Sequence, residues 1–413
     1  MKTNKSKIAI FGAGIAGLSC AYFLKNDGYD VTVYEKRTEV GGRFATFETE
    51  GVYINKGALM YAPRLNPHFT SLINKLGIES EQLTLSRFAL IIGNKITALN
   101  NFAMFKSGLF SLFDYLKWLR LKRFIRRLDF RLDNYDKRLE ELHQYSLQEF
   151  CENKMGFNKK LIDYIVQPFS SFGYIDPPYI AADHGLFLFA YGDTELRVPI
   201  KGMSSVTDEL HNKLNGSVKL NTSVKEVKQN KKGGFSVVLE EKGKASSVKK
   251  NYDYCIFATG QASLNKIVPV IDFQIPITKT RGLIFEAKCP QFNPYDVLLF
   301  SKYNNTHGVH GGEVKRLPDG RSICGIFLYH PKGNVEKVFG KVKILPKVGW
   351  SPAITLIPPK SSVRDVATPI PNLFVIGDFY RLPCIESCVY TARKVAGIIA
   401  DTNEISNVMH PSP

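Results

Sequence analysis

Three features of the sequence predict an α/β fold with a second, α+β part inserted into it. The first 35 residues read as strand, glycine turn, helix and strand. A buried strand ending in Gly-Asp returns near residue 377. Between them lies a long segment whose apolar spacing is helical. At 413 residues the chain exceeds the ~100–200 residues of one typical domain, so two domains are expected. Its 44% hydrophobic and 23% charged residues suit a substantial core and exclude wholesale disorder, a collagen-like chain or a small disulfide scaffold. The unusual quantity is a net charge of +17, which suggests an anionic partner or a solvated basic surface.

In chain order, Lys7 to Phe11 is the first strand, Gly12-Ala13-Gly14-Ile15-Ala16-Gly17 the turn, and Leu18 to Lys25 the helix. Asp30 to Glu35 follows as a second strand ending on an acid, which completes a βαβ unit. GxGxxG alone is a weak signal, but here it follows a strand, opens a helix and leads to Glu35, 18 residues after Gly17. Glycines at these places let the backbone approach a pyrophosphate at the helix N-terminus, and Glu35 would accept hydrogen bonds from ribose hydroxyls. The unit therefore predicts a Rossmann-like dinucleotide-binding domain.

From about Phe102 to Ile165 the pattern is helical, with Leu121, Phe124, Ile125, Leu128, Leu132 and Tyr135 on one face. Lys122, Arg123, Arg126, Arg127 and Arg131 fan over the other. Residues 106–138 hold ten basic and four acidic side chains, a local +6. Leu186 to Tyr191 reads as a buried strand. Strands follow at Val218 to Leu220, Val224 to Val227 and Phe235 to Glu240, then a hairpin or loop at 241–251. Tyr254 to Ala258 is a strand ending at Thr259-Gly260, and 276–349 mixes short strands with Pro and Gly turns. Asn372 to Ile376 is a strand, a helix runs from about Ile385 to Asp401, and Asn403 to Pro413 is a loose tail.

The stretch Glu35-Lys36-Arg37-Thr38-Glu39-Val40-Gly41-Gly42-Arg43 resembles the extended signature of the flavin-containing amine oxidase superfamily. That superfamily includes monoamine and polyamine oxidases, protoporphyrinogen oxidases and carotenoid desaturases. The resemblance implies FAD, and makes Gly41, Gly42, Arg37 and Arg43 cofactor contacts beside Gly12, Gly14, Gly17 and Glu35. Amides and a guanidinium fork suit a diphosphate on general grounds. Asn55-Lys56-Gly57 stands where the family has Asp-x-Gly. Gly202-Met203 resembles the family's entry to a helix, Val224 the valine placed against adenine, and Gly260 joins the same groove. The run Asn372 to Asp378, with Glu386 and Ala396, resembles the second FAD motif. There Gly377-Asp378 meets the phosphate–ribitol region and the helix starting near Ile385 points at the flavin pyrimidine.

The implied organisation is an FAD-binding domain from 1–85, 195–275 and 350–413, with a substrate domain from 86–194 and 276–349. The implied activity is FAD-dependent hydride removal from a C–N or C–C bond of a hydrophobic amine, tetrapyrrole-like or polyene-like substrate. Alternatives are a non-redox FAD enzyme resembling UDP-galactopyranose mutase, or a non-catalytic flavin-binding partner protein. Cys384 holds the place of an aromatic-cage tyrosine, and no Cys lies within Ser351–Pro359, so non-covalent FAD is expected. Cys384, Tyr380 and Tyr174 are the substrate-side candidates. Phe169, Phe172, Phe187, Phe189 and Tyr191 line a cavity or fill the core. Cys384 and Cys388 read as packed thiols, with a redox pair as the alternative.

His307, His310 and Glu313 sit among glycines and read as a surface turn; no metal is expected. Seven cysteines without a CxxC pair predict reduced thiols in a cytoplasmic protein. The basic segment reads foremost as a packed amphipathic helix with a solvated face. Contact of 106–138 with a membrane surface is the second reading, and nucleic acid is not expected as a partner.

Overall fold

The computed structural model describes residues 6–409 apart from 171–174, 232, 245, 269–275, 279, 330–331, 346–353 and 363. A parallel sheet runs in the order Leu373–Val375, Tyr254–Phe257, Lys7–Phe11, Asp30–Tyr34 and Val218–Lys219. Its strands are almost wholly apolar because both faces are covered. Ile8, Ile10, Val31 and Val33 cluster with side chains of the helices Ile15–Asn26, Ser204–Leu214 and Ile385–Met409. Ala9, Phe11, Cys255 and Phe257 cluster with Val227, Val237 and Leu239 of an antiparallel sheet formed by Thr222–Gln229, Phe235–Glu241 and Val248–Tyr252.

A seven-stranded mixed sheet stands apart from this layer. It takes Phe88–Ile92 and Lys95–Ala98 from the first half of the chain, and strands between Arg281 and Ile344 from the second. The described elements between 101 and 191 are helices, and their apolar sides join the core beneath the parallel sheet.

Five expectations are corrected. Leu186 to Tyr191 is not a strand but most of the helix Ala182–Tyr191, apolar all round because other helices flank it. A short apolar run cannot declare its period when every side is buried. The helix bearing Leu121 and Ile125 stops at Ile125, although Leu128 and Leu132 are still buried. Past it the amides of Arg127 and Leu128 donate three residues back, to Phe124 at 3.1 Å and Ile125 at 3.0 Å, a tightened turn that closes the helix. Residues 248–252 form a strand rather than a loop.

Gly311 and Gly312 lie inside the buried strand Val309–Arg316, not in a surface turn. A Cβ on Gly312 would fall 1.9 Å from the Gly325 carbonyl oxygen of the neighbouring strand, so glycine here serves strand packing. Lastly, the final helix runs on to Met409, since no proline interrupts it before Pro411.

Candidate functional site: a dinucleotide groove at the strand ends

Parallel pairing brings the C-terminal ends of four strands to one edge: Phe11, Tyr34, Phe257 and Val375. Ligands of open α/β sheets bind at such an edge. Gly12 turns there with φ 108°, its amide donating to the Tyr34 carbonyl at 2.8 Å. A Cβ on Gly17 would lie 2.0 Å from the Gly12 oxygen, so the helix can start this close to the strand only with glycine. A Cβ on Gly14 would meet nothing within 4 Å: this face of the loop is open.

The Gly41-Gly42-Arg43 turn lies alongside. Gly41 donates its amide to the Ala13 carbonyl at 2.9 Å and bridges Gly14. Glu35 accepts the Ala13 amide at 2.9 Å with one carboxylate oxygen and the Arg37 amide at 2.9 Å with the other, which ties the acid to both turns. The Thr222 amide donates to the Glu35 carbonyl at 2.8 Å, so the strand carrying Val224 begins beside the acid. The Arg37 side chain is exposed, whereas its carbonyl accepts from Asn221 at 2.9 Å. Gly260 caps the helix Gln261–Ile267, and next to it the buried Thr259 hydroxyl has no hydrogen-bond partner among the described residues.

The two ends of the chain meet at Arg43 and Asp378. The guanidinium donates to both carboxylate oxygens, Nη1 at 2.5 Å and Nη2 at 2.7 Å. Burial opposes ionisation of Asp378, but the Arg43 charge overrides it and holds the carboxyl below its usual range. Asp378 is thereby neutralised where an anionic ligand would otherwise be repelled, and Arg43 keeps 39% of its side chain exposed. Gly377, before it, donates its amide to the Thr391 hydroxyl at 3.1 Å, which fixes the turn to the helix that starts at Ile385. Open space at Gly14, an unpartnered hydroxyl at Thr259 and a charge-balanced Arg43–Asp378 pair fit an elongated diphosphate such as FAD.

On the substrate side, Tyr174 and Phe172 lie outside the described residues. Tyr380 is buried with its ring 5.3 Å from that of Tyr390. Burial pushes the Cys384 thiol up to about 12, so the adjacent helix end does not activate it, and Cys388 is raised by burial as well. Both cysteines are free. Phe169 and Phe189 stack at 4.6 Å and lie against Trp118, and Phe187 lies 5.6 Å from Phe130; these rings fill the core. His310 packs on Tyr329 at 4.4 Å, and Glu313 accepts the Asn55 amide.

Asn66, His184 and Asp183 escape sequence reasoning, and Glu386, which the resemblance places with the second FAD motif, also reaches a helix far away in sequence. Glu386 faces the helix Pro67–Leu76: its carboxylate accepts the His68 amide at 2.8 Å and the Phe69 amide at 3.1 Å. Asn66, the N-cap of that helix, accepts the Tyr191 hydroxyl at 3.0 Å; the Asn66-Pro67 pair was the available signal. His184 is buried with both ring nitrogens unpartnered among the described residues, and burial lowers it to about 4, so it is neutral at physiological pH. Nearby, Asp183 accepts from the Tyr135 hydroxyl at 2.8 Å and bonds His143 at 3.0 Å.

The fold and groove define a dinucleotide-binding protein, a parallel sheet covered by helices on one face and an antiparallel sheet on the other. Residues 15–283, about two thirds of the chain, match the family model described as flavin containing amine oxidoreductase, and the chain belongs to this family. Membership implies a flavin cofactor. Cyclohexylamine oxidase from Brevibacterium oxydans IH-35A superposes with a TM-score of 0.69 over 97% of this chain and 100% of that one, at 16% identity, which is a likeness of fold. An L-amino acid oxidase of Bothrops pictus is 22% identical over 353 residues, 82% of this chain and 68% of that protein.

The 4,4'-diapolycopen-4-al dehydrogenase of Metabacillus indicus is 41% identical over 80 residues, 19% of this chain and 16% of that protein. The chain thus spans less than a fifth of the length of the curated relatives it matches at about 40% identity.

Proposed function

We propose that the protein is an FAD-dependent oxidoreductase that removes hydride from a C–N or C–C bond of a hydrophobic substrate. The observation that carries this reading is the groove itself, where the open Gly14 face and the Arg43–Asp378 pair meet at the sheet edge. Bound there, FAD supplies the two-electron acceptor. Gly12, Gly14, Gly41 and Gly42 would line the diphosphate, the exposed side of Arg43 would donate hydrogen bonds to it, and Glu35 would accept from the ribose hydroxyls. Val224 and Gly260 flank the adenine side, and Gly377 with Ile385 the flavin side. The cofactor is held without a covalent bond. The parallel sheet holds the dinucleotide and the seven-stranded sheet with the helical segment encloses the substrate.

The place of a cage tyrosine is taken by Cys384, a neutral thiol whose pKa is raised by the same burial that surrounds it with apolar groups. Such a surface offers an amine nitrogen no aromatic sandwich and suits an apolar chain or ring. The named activities of the relatives, on an apolar polyene aldehyde, on L-amino acids and on cyclohexylamine, bracket this substrate range.

The test mixes anaerobic, flavin-loaded protein with hydrophobic amines, porphyrinogens and polyenes and follows flavin absorbance. Bleaching by a member of one class is the expected result. Protein whose flavin bleaches with dithionite but with none of these substrates would overturn the reading. Arg43→Ala should release flavin on gel filtration; full retention would remove Arg43 from the site.

A further inference from the structure

We infer that the helical hairpin 101–123 is a docking surface for an anionic lipid bilayer. Its two helices, Asn101–Lys106 and Leu112–Ile125, are joined by a short turn and anchored by buried Met104, Leu109, Phe110, Trp118 and Leu121. The side turned away from that anchor is apolar. Phe102 is 67% and Phe113 77% exposed, and Phe105, Leu112 and Leu116 are exposed with them. Phe105 of the first helix meets half-buried Tyr115 of the second at 5.1 Å between ring centroids, so the exposed sides of the two helices adjoin. Soluble surfaces seldom gather so many large side chains in so short a stretch.

The charge around the patch selects the partner. Residues 101–127 contain seven Lys and Arg, of which Lys122 and Arg126 pair with Asp193, against one acid of their own, Asp114, which is buried and caps its helix. Lys106 lies 4.4 Å over the Phe102 ring, at the patch edge. Along the longer helix, Phe113 and Leu116 continue into Arg120 and Arg123 on the same face by helical spacing. Both arginines are exposed, and neither forms an ion pair among the described residues. Rings and leucines can enter the headgroup boundary while these cations meet lipid phosphates.

The surface is not the 106–138 stretch that charge alone suggests. Lys122, at the end of the hairpin and half-buried, and Arg126 beyond it are taken by Asp193, Arg131 by Asp129 and Arg138 by Asp136. No helix among the described residues is long and apolar enough to cross a membrane, so contact through this hairpin is at the surface.

The test is co-sedimentation of the flavin-loaded full chain with vesicles of phosphatidylcholine alone or mixed equally with phosphatidylglycerol. Binding to the mixed vesicles, weakened by salt and at least about tenfold weaker to phosphatidylcholine alone, is expected. Phe113→Ser/Leu116→Ser and Arg120→Glu/Arg123→Glu should each lower it by about tenfold or more, with flavin content and urea midpoint unchanged because all four side chains are exposed. No vesicle binding, or binding that neither variant alters, overturns the inference. So does concentration-dependent self-association abolished by the apolar variant without any vesicle effect, which would assign the patch to a second copy of the chain.

Discussion

Gly14 and Gly17 look alike in the motif and do different work. Gly14 adopts φ −81°, which any residue can take, and its missing Cβ would point into open space. Gly17 is needed by the protein itself, because a Cβ there would meet the Gly12 carbonyl at 2.0 Å. Gly14→Leu is therefore expected to lose flavin while the apoprotein keeps its urea midpoint within experimental scatter. Gly17→Ala should lower that midpoint, by a cost of about 1–3 kcal/mol for forcing backbone apart. Equal stability loss in both would show that the open face at Gly14 is structural rather than reserved for ligand. The motif's spacing was readable in the sequence, but which glycine serves ligand and which serves packing depends on neighbours that arrive through the fold.

Among elements, the helix Pro67–Leu76 shows what composition hides. Its N-cap Asn66 turns its side chain to Ala62 and Tyr191, so the first-turn amides need another acceptor. Glu386, more than three hundred residues on, supplies it with contacts to His68 and Phe69. Glu386→Ala should destabilise the protein by about 1–3 kcal/mol, because two amides are left without their acceptor, and Glu386→Gln by less. Urea unfolding at neutral pH reads both, and an Ala variant as stable as the parent would dismiss the contact as incidental. The resemblance places Glu386 with the second FAD motif, and only the fold brings its carboxylate to the His68 and Phe69 amides. Likewise, the helical spacing predicts that Leu121, Ile125, Leu128 and Leu132 are buried, but not that the helix stops at Ile125.

At the scale of the molecule, Glu313 connects the two large sheets. It stands on a buried strand of the seven-stranded sheet and accepts the amide of Asn55, whose side-chain oxygen accepts the Met203 amide at 2.8 Å on the dinucleotide side. Burial raises Glu313 from 4.5 to about 7. A carboxyl raised on folding favours the folded state while protonated, so this stability is complete below about pH 4.5 and is lost as pH rises through 7. The full swing is on the order of 3 kcal/mol. Glu313→Gln stays neutral and keeps an acceptor for Asn55. The difference in unfolding free energy between variant and parent should therefore move in the variant's favour from pH 4.5 to 8, and a pH-independent difference would disprove the raised titration.

What the sequence determined by itself were the features carried by neighbours along the chain: the βαβ unit, the glycine turn ending on Glu35, the Gly-Asp strand end and the apolar faces of the helices. Each is a short-range pattern of period, turn chemistry or charge. Only the tertiary structure decided the rest. It paired Arg43 with Asp378, gave Glu386 to a distant helix, turned Leu186–Tyr191 into helix and made Gly311 and Gly312 strand residues. It also left the flank of 101–123 exposed while pairing Lys122 and Arg126 with Asp193, Arg131 with Asp129 and Arg138 with Asp136. The reason is that burial, close approach and ion pairing depend on groups far apart in sequence, and the chain must fold before any of them meet.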